Sequence, residues 1–154
     1  MNELMREAIE EARTGIHAGH GGPFGALIVR EGRIIARAHN EVLSSNDPTA
    51  HAEILAIRRA SATLGRFDLS DCEIYSSCEP CPMCFAAVHW AKMRRLYYAC
   101  TRTDAAAIGF DDDYIYRVIR GEAAEMQVEL SMIDRSEGLT LFGEFSSLEG
   151  KQLY

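Results

Sequence analysis

The sequence has no long hydrophobic run. Its strictly apolar stretches are short, such as Ala26–Val29, far below the ~20 residues that cross a bilayer as a helix. It opens on MNELMREAIEEAR, which is acidic and amphipathic. The basic patch and apolar block of a secretory signal are missing. Basic excess is missing as well: 16 Lys and Arg stand against 23 Asp and Glu, a formal net charge of −7. Proteins that grip a nucleic-acid backbone usually present a basic face, so this balance argues for a small substrate and against nucleic acid. An even cysteine count is absent too. There are five, three of them within seven residues. That suits a metal site in a reduced, cytoplasmic protein better than a disulfide framework.

Repeats, low-complexity tracts and linkers are also lacking, so the 154 residues read as a single domain large enough to bury a core. Apolar or small residues Leu4, Met5, Ala8, Ile9, Ala12 and Ile16 recur at helical spacing over 3–18. Residues 24–30 and 33–39 are β-like runs, and Glu31-Gly32 between them is a two-residue hairpin signal. Asp47-Pro48 can cap and open a helix through about residue 63. Strands are expected over 72–77 and 95–100, with a helix from Pro82 to about Lys92 between them. TDAAAIGFDDD reads as a loop, YIYRVIR as a short helix, 126–133 as a last strand and the chain from about 138 as a helix. Strands alternating with helices predict an α/β fold, a mixed sheet of about five strands covered by helices on both faces.

Proline is scarce, at four, yet two of the four sit between the cysteines of SSCEPCPMC, residues 76–84. Cys81 and Cys84 have C-x-x-C spacing and flank Pro82, a residue suited to the first position of a helix. At a helix N-terminus the dipole and free N–H groups favour thiolate. His51 lies upstream in HAE, also near a helix start. Helix starts meet at the carboxyl ends of the strands, where α/β proteins bind ligands. His51, Cys81 and Cys84 would give three protein ligands, the number at a catalytic zinc that keeps one position for water. Glu53, two residues past His51, could accept a proton from that water without binding the metal. H-x-E followed by P-C-x-x-C is the pattern of zinc-dependent nucleobase deaminases. Alternatives remain at this point. Cys78 could be a fourth ligand of a closed structural site, or C-x-x-C could be a redox pair. An iron–sulfur run fails, because positions 88 and 89 are Val and His.

Taken together, GGPFGALIV, NDPTAHAEILAIR, SSCEPCPMC, TDAAAIGFDD and the final Tyr154 resemble the cytidine deaminase-like superfamily. Within it, the sequence is most similar to the bacterial guanine deaminases. HAE and PCPMC are shared with tRNA adenosine deaminases; TDAAAIGFDD and Tyr154 discriminate. The resemblance implies a three-layer α/β/α sandwich and one Zn2+ per subunit with a catalytic water. It implies hydrolysis of guanine to xanthine and ammonia, a step of purine metabolism. By the same resemblance, Glu53 and Asp112 shuttle protons, and Phe24, Asn40, Tyr154 and the backbone around Ala52 hold the base. A homodimer is implied, with the segment from about 135 to 154 exchanged between subunits. Guanosine, ammeline, cytosine or tRNA adenosine are the rival substrates, and a zinc-stabilised binding module is the rival outside enzymes. His17, His20, His39 and His89 read as surface or packing residues, Trp90 as core or dimer contact, and Cys72 and Cys100 as small strand hydrophobes.

Overall fold

A computed structural model describes residues 2–123 and 127–153. Helix α1 (Glu3–His17) begins at Asn2, whose side chain accepts from Met5 N. The hairpin β1 (Gly25–Arg30) and β2 (Arg33–His39) follows. It turns through Glu31 and Gly32, both at positive φ, the backbone a tight primed turn requires. A short α2 (Val42–Ser45) interrupts the polar loop. Helix α3 (Ala52–Leu64) leads to β3 (Glu73–Cys78), α4 (Pro82–Trp90) and β4 (Arg95–Cys100). Three helices complete the chain: α5 (Arg102–Ala107), α6 (Asp113–Ile119) and α7 (Arg135–Ser147).

The sheet runs β2-β1-β3-β4. β1 is antiparallel to both neighbours, whereas β3 and β4 are parallel and joined through α4. It is therefore mixed, as expected, but among the described residues it has four strands, not five. Residues 127–133 form no strand, and Met126 lies outside the described residues. Two helix boundaries also differ from expectation. The Asp47 carboxylate accepts from Thr49 N and Thr49 Oγ1, so Asp47 closes a local turn and α3 waits until Ala52. TDAAA is the helix α5, not a loop: Thr101 and Asp104 bond each other's backbone in a reciprocal cap.

β1 is buried on both faces, and its alternation divides the core. Ala26 and Ile28 pack with Ala52, Ala56, Ala60 and Val88 of α3 and α4. Leu27 and Val29 pack with Ala8, Leu4 and Met5 of α1. Helices thus cover both faces, giving the expected α/β/α layering. α1 lies close to the sheet because its contact residues are small. A Cβ on Gly25 would sit 2.3 Å from the Ala8 carbonyl oxygen and 2.5 Å from Ala12 N. Gly25→Ala should accordingly push α1 off the sheet and cost roughly 1–3 kcal/mol, the usual range for overpacking; a lowered denaturation midpoint of the metal-loaded protein checks this.

Candidate active site

α3 and α4 start side by side. His51 is the N-cap of α3 and Cys81 the N-cap of α4, both with extended backbone. Neither uses its side chain to cap its helix, so imidazole and thiol are free to project beyond the helix ends. Pro82 occupies the first turn of α4, where its missing N–H costs nothing. Cys84, two residues on, returns its sulfur to the same side. His51 Nδ1 lies 3.5 Å from Cys81 Sγ and 3.5 Å from Cys84 Sγ. Zn–S bonds of about 2.3 Å and a Zn–N bond of about 2.0–2.1 Å in a tetrahedron set S···N edges of about 3.6 Å. The three side chains therefore fit zinc at its ordinary bond lengths, and among the described residues they form the one His/Cys/Asp/Glu group drawn together tightly enough to hold a metal ion.

The charge states suit a cation. Hydrogen bonding with the Cys84 thiol, aided by His51, brings the Cys81 thiol down to about 4. The bond to Cys81, together with burial, pushes Cys84 up. One thiolate thus sits between two N–H-rich helix ends. Burial raises Glu53 above the ordinary carboxylate range. The Ser76 hydroxyl donates to Glu53 Oε1 at 3.0 Å and holds that buried side chain. Asp112 is raised by burial and then by the charge of Cys81.

Cys78 is not part of the metal-holding group. It ends β3, its thiol donates to the Thr101 carbonyl at 3.6 Å, and burial raises it to about 11. It is a neutral wall of the cavity.

One cavity gathers Phe24, His51, Glu53, Cys81 and Asp112, the residues that sequence reasoning selected. It adds Cys78, Glu79, Arg102, Phe110 and Asp111. Phe24 meets Phe110 edge-to-face, with centroids 5.0 Å apart. Cys84 is buried behind the cavity. Asn40 lines an adjoining cavity, joined to the first through Phe24, His51 and Phe110. Its side-chain oxygen accepts from Gly22 N and Val42 N, which pins two loops and commits the oxygen, leaving the amide N–H groups as donors. Ala52 is fully buried and lines neither cavity. Tyr154 lies outside the described residues. Sequence reasoning missed Ser76, Glu79, Arg102 and Phe110. Ser76 was recoverable from strand parity, since it shares a face of β3 with Ile74, which packs against α3 and α4. The other three become neighbours through tertiary structure alone.

Comparison with known proteins agrees with this geometry. The family described as "Cytidine and deoxycytidylate deaminase zinc-binding region" matches residues 1–100. The guanine deaminase of Bacillus subtilis is 46% identical over 151 residues, 98% of this chain and 97% of that one. The crystal structure of the Bacillus subtilis guanine deaminase superposes with a TM-score of 0.94 at 46% identity, covering 100% of this chain and 99% of the other. A tRNA-specific adenosine deaminase of Agrobacterium fabrum is 43% identical over 107 residues, 68% of each chain. Three ligands at zinc spacing, a buried carboxylate beside them and this similarity along the chain have one explanation: the protein belongs to the zinc-binding cytidine and deoxycytidylate deaminase family.

Proposed function

We propose that the whole chain, 1–154, acts as one deaminase domain that hydrolyses guanine to xanthine and ammonia. The observation that carries the choice of guanine is the extent of similarity. The match to the guanine deaminase runs over 98% of the chain, that to the tRNA deaminase over 68%. The negative charge points the same way, against an RNA substrate.

His51, Cys81 and Cys84 would hold the zinc, which when bound supplies a water acidic enough to attack at neutral pH. Phe24 would carry the purine ring, with Phe110 beside it, and Asn40 would offer its amide to the base. The backbone at Ala52 would touch the base as well. Glu53 takes a proton from the attacking water as its oxygen bonds to C2, and passes that proton to the adjacent ring nitrogen. The proton of the new C2 hydroxyl is then transferred to the exocyclic amine, with Asp112 assisting. The C2–N bond breaks, ammonia leaves and the carbonyl of xanthine forms. Burial of Glu53 supports this role, because raising a carboxyl strengthens its carboxylate as a proton acceptor.

The working unit would be a homodimer that exchanges the segment from about 135 to 154, with Tyr154 covering the substrate. The exposed apolar C-terminal part supports this. Leu130, Met132 and Ile133 are 77–81% exposed, and α7 leaves Leu141 and Phe142 in solvent. Gln152 and Leu153 line a groove with Trp90, and neither lines the catalytic cavity. Apolar surface of this kind usually marks an interface. The five cysteines carry no disulfide, in keeping with the cytoplasm.

Zinc-loaded protein should release ammonia from guanine faster than from guanosine, adenine, cytosine, cytidine or ammeline, and faster than from a tRNA adenosine. Glu53→Gln should keep its zinc and lose on the order of 10²–10⁴ in kcat/KM, the range for a removed acid–base group; an unimpaired variant would sink the mechanism. Metal analysis of Cys78→Ser should still find one zinc per chain, whereas Cys81→Ser and Cys84→Ser should lose it. Light scattering should give twice the chain mass, and deleting 135–154 should return the monomer mass.

A further inference from the structure

We infer that Tyr116 and Arg102 brace Asp112 against the loop that carries Cys81, and so act as positioning residues for the deamination. This rests on the proton-transfer role proposed for Asp112. Asp112 stands between the loop after α5 and the start of α6, and its side chain makes no capping bond to α6. Asp111 does the local work instead, its carboxylate accepting from Asp113 N at 2.9 Å. The Asp112 carboxylate is thereby free to line the cavity, but it also lacks that anchor.

The anchor comes from one turn further on. Tyr116 N donates to the Asp112 carbonyl at 3.2 Å. The Tyr116 hydroxyl donates to the carbonyl of Pro80 at 3.0 Å, and Pro80 immediately precedes Cys81. The first is an ordinary bond of the helix; the second, specific to the tyrosine, ties the helix that opens at Asp112 to the ligand loop. Arg102 stacks on the same tyrosine. Its guanidinium lies 4.6 Å from the centre of the Tyr116 ring. Its backbone N–H donates to Glu79 Oε2 at 3.1 Å, and its side chain keeps Glu79 within 3.9 Å. Arg102 and Glu79 also line a neighbouring groove with Tyr98 and Arg120, so they form a wall of the catalytic cavity with a space behind it. The Arg102 charge counters the effect of burial on Asp112.

Besides these contacts, the Tyr114 hydroxyl of α6 accepts from Gln127 N at 2.7 Å. The helix makes only sparse contacts with other elements, and its residues alternate between exposed and half-buried. A misplacement of about 1 Å in a reacting group can cost on the order of 100-fold in rate, so the few contacts that fix α6 govern the step Asp112 serves.

The test is a kinetic cycle on full-length, zinc-loaded protein with guanine. Asp112→Asn should lower kcat by about 100-fold. Tyr116→Phe, which keeps the ring over Arg102, should lower kcat about 5-fold with KM within about 2-fold of wild type, because orientation and not binding is lost. Tyr116→Ala should lower kcat further, yet add nothing in the Asp112→Asn background, since residues acting through one group are not additive. Zinc content and circular dichroism should match wild type throughout; should Tyr116→Ala fail to fold, Tyr116→Phe takes its place in the cycle. A crippled Asp112→Asn beside Tyr116 variants at wild-type kcat would overturn the inference alone, as would effects that multiply in full in the double variant. Asp112→Asn at wild-type kcat would remove the Asp112 role, and the inference with it.

Discussion

The start of α3 and the start of α4 must face the same point, and the catalytic chemistry depends on that convergence. α4 follows β3 and α3 follows β2 by way of α2; β2 and β3 are both antiparallel to β1, so their carboxyl ends share the edge where α/β proteins place ligands. Their N-caps are His51 and Cys81, and the sheet brings these to within 3.5 Å. The cost is electrostatic. A thiolate, a second cysteine and the carboxyls of Glu53 and Asp112 share one partly closed space, and burial pushes both carboxyls up. Two helix N-termini offset part of this crowding. A bound dication would offset more, so occupancy of the site and stability of the surrounding structure are linked.

How much of this could be read beforehand depended on whether the signal was local. His51, Glu53, Cys81 and Cys84 were legible because each lies within a turn of a helix start, and helix starts carry short-range marks such as Pro82. β1 and β2 were legible from two β-like runs and the turn dipeptide between them. The errors arose where a local mark had two uses. Asp47 looked like a helix cap and is spent on Thr49. Thr101 and Asp104 do form a cap, but the glycine and aspartates downstream made TDAAAIGFDDD resemble a turn. The expected strand over 126–133 failed for a different reason. Apolar alternation reports a preference for extended chain; it does not say which sheet edge is available to pair with it. Glu79, Arg102 and Phe110 were unreadable because only the tertiary structure places them on one wall.

The substrate depends on those less legible parts. The matched family region ends at residue 100, after the zinc-spaced group of His51, Cys81 and Cys84 and after Glu53. Phe110, Asp112 and Arg102 come later in the chain, and all three line the cavity. The family region therefore includes the zinc-spaced group and Glu53 together with Phe24, Cys78 and Glu79 of the cavity wall, and the rest of that wall comes after it. Similarity to a tRNA deaminase extends over 68% of the chain, that to the guanine deaminase over 98%. Chemistry needs a small fixed geometry, whereas discrimination needs walls, and walls can be replaced without moving the metal site.

Two triplets of like residues show how the backbone assigns work that composition leaves open. Cys78, Cys81 and Cys84 are evenly spaced, and so are Asp111, Asp112 and Asp113. In each case a helix start separates them. Cys78 belongs to β3 and is held as a thiol against Thr101; Cys81 and Cys84 lie on the first turn of α4 and reach His51. Asp111 spends its carboxylate on Asp113 N, Asp113 pairs with Arg117 one turn along at 3.1 Å, and Asp112 faces the cavity. In each triplet, where the helix starts decides which side chain is left to face the cavity or the zinc-spaced group. A further carboxylate or thiol inserted beside either triplet would therefore act only if it also took over the position at the helix start.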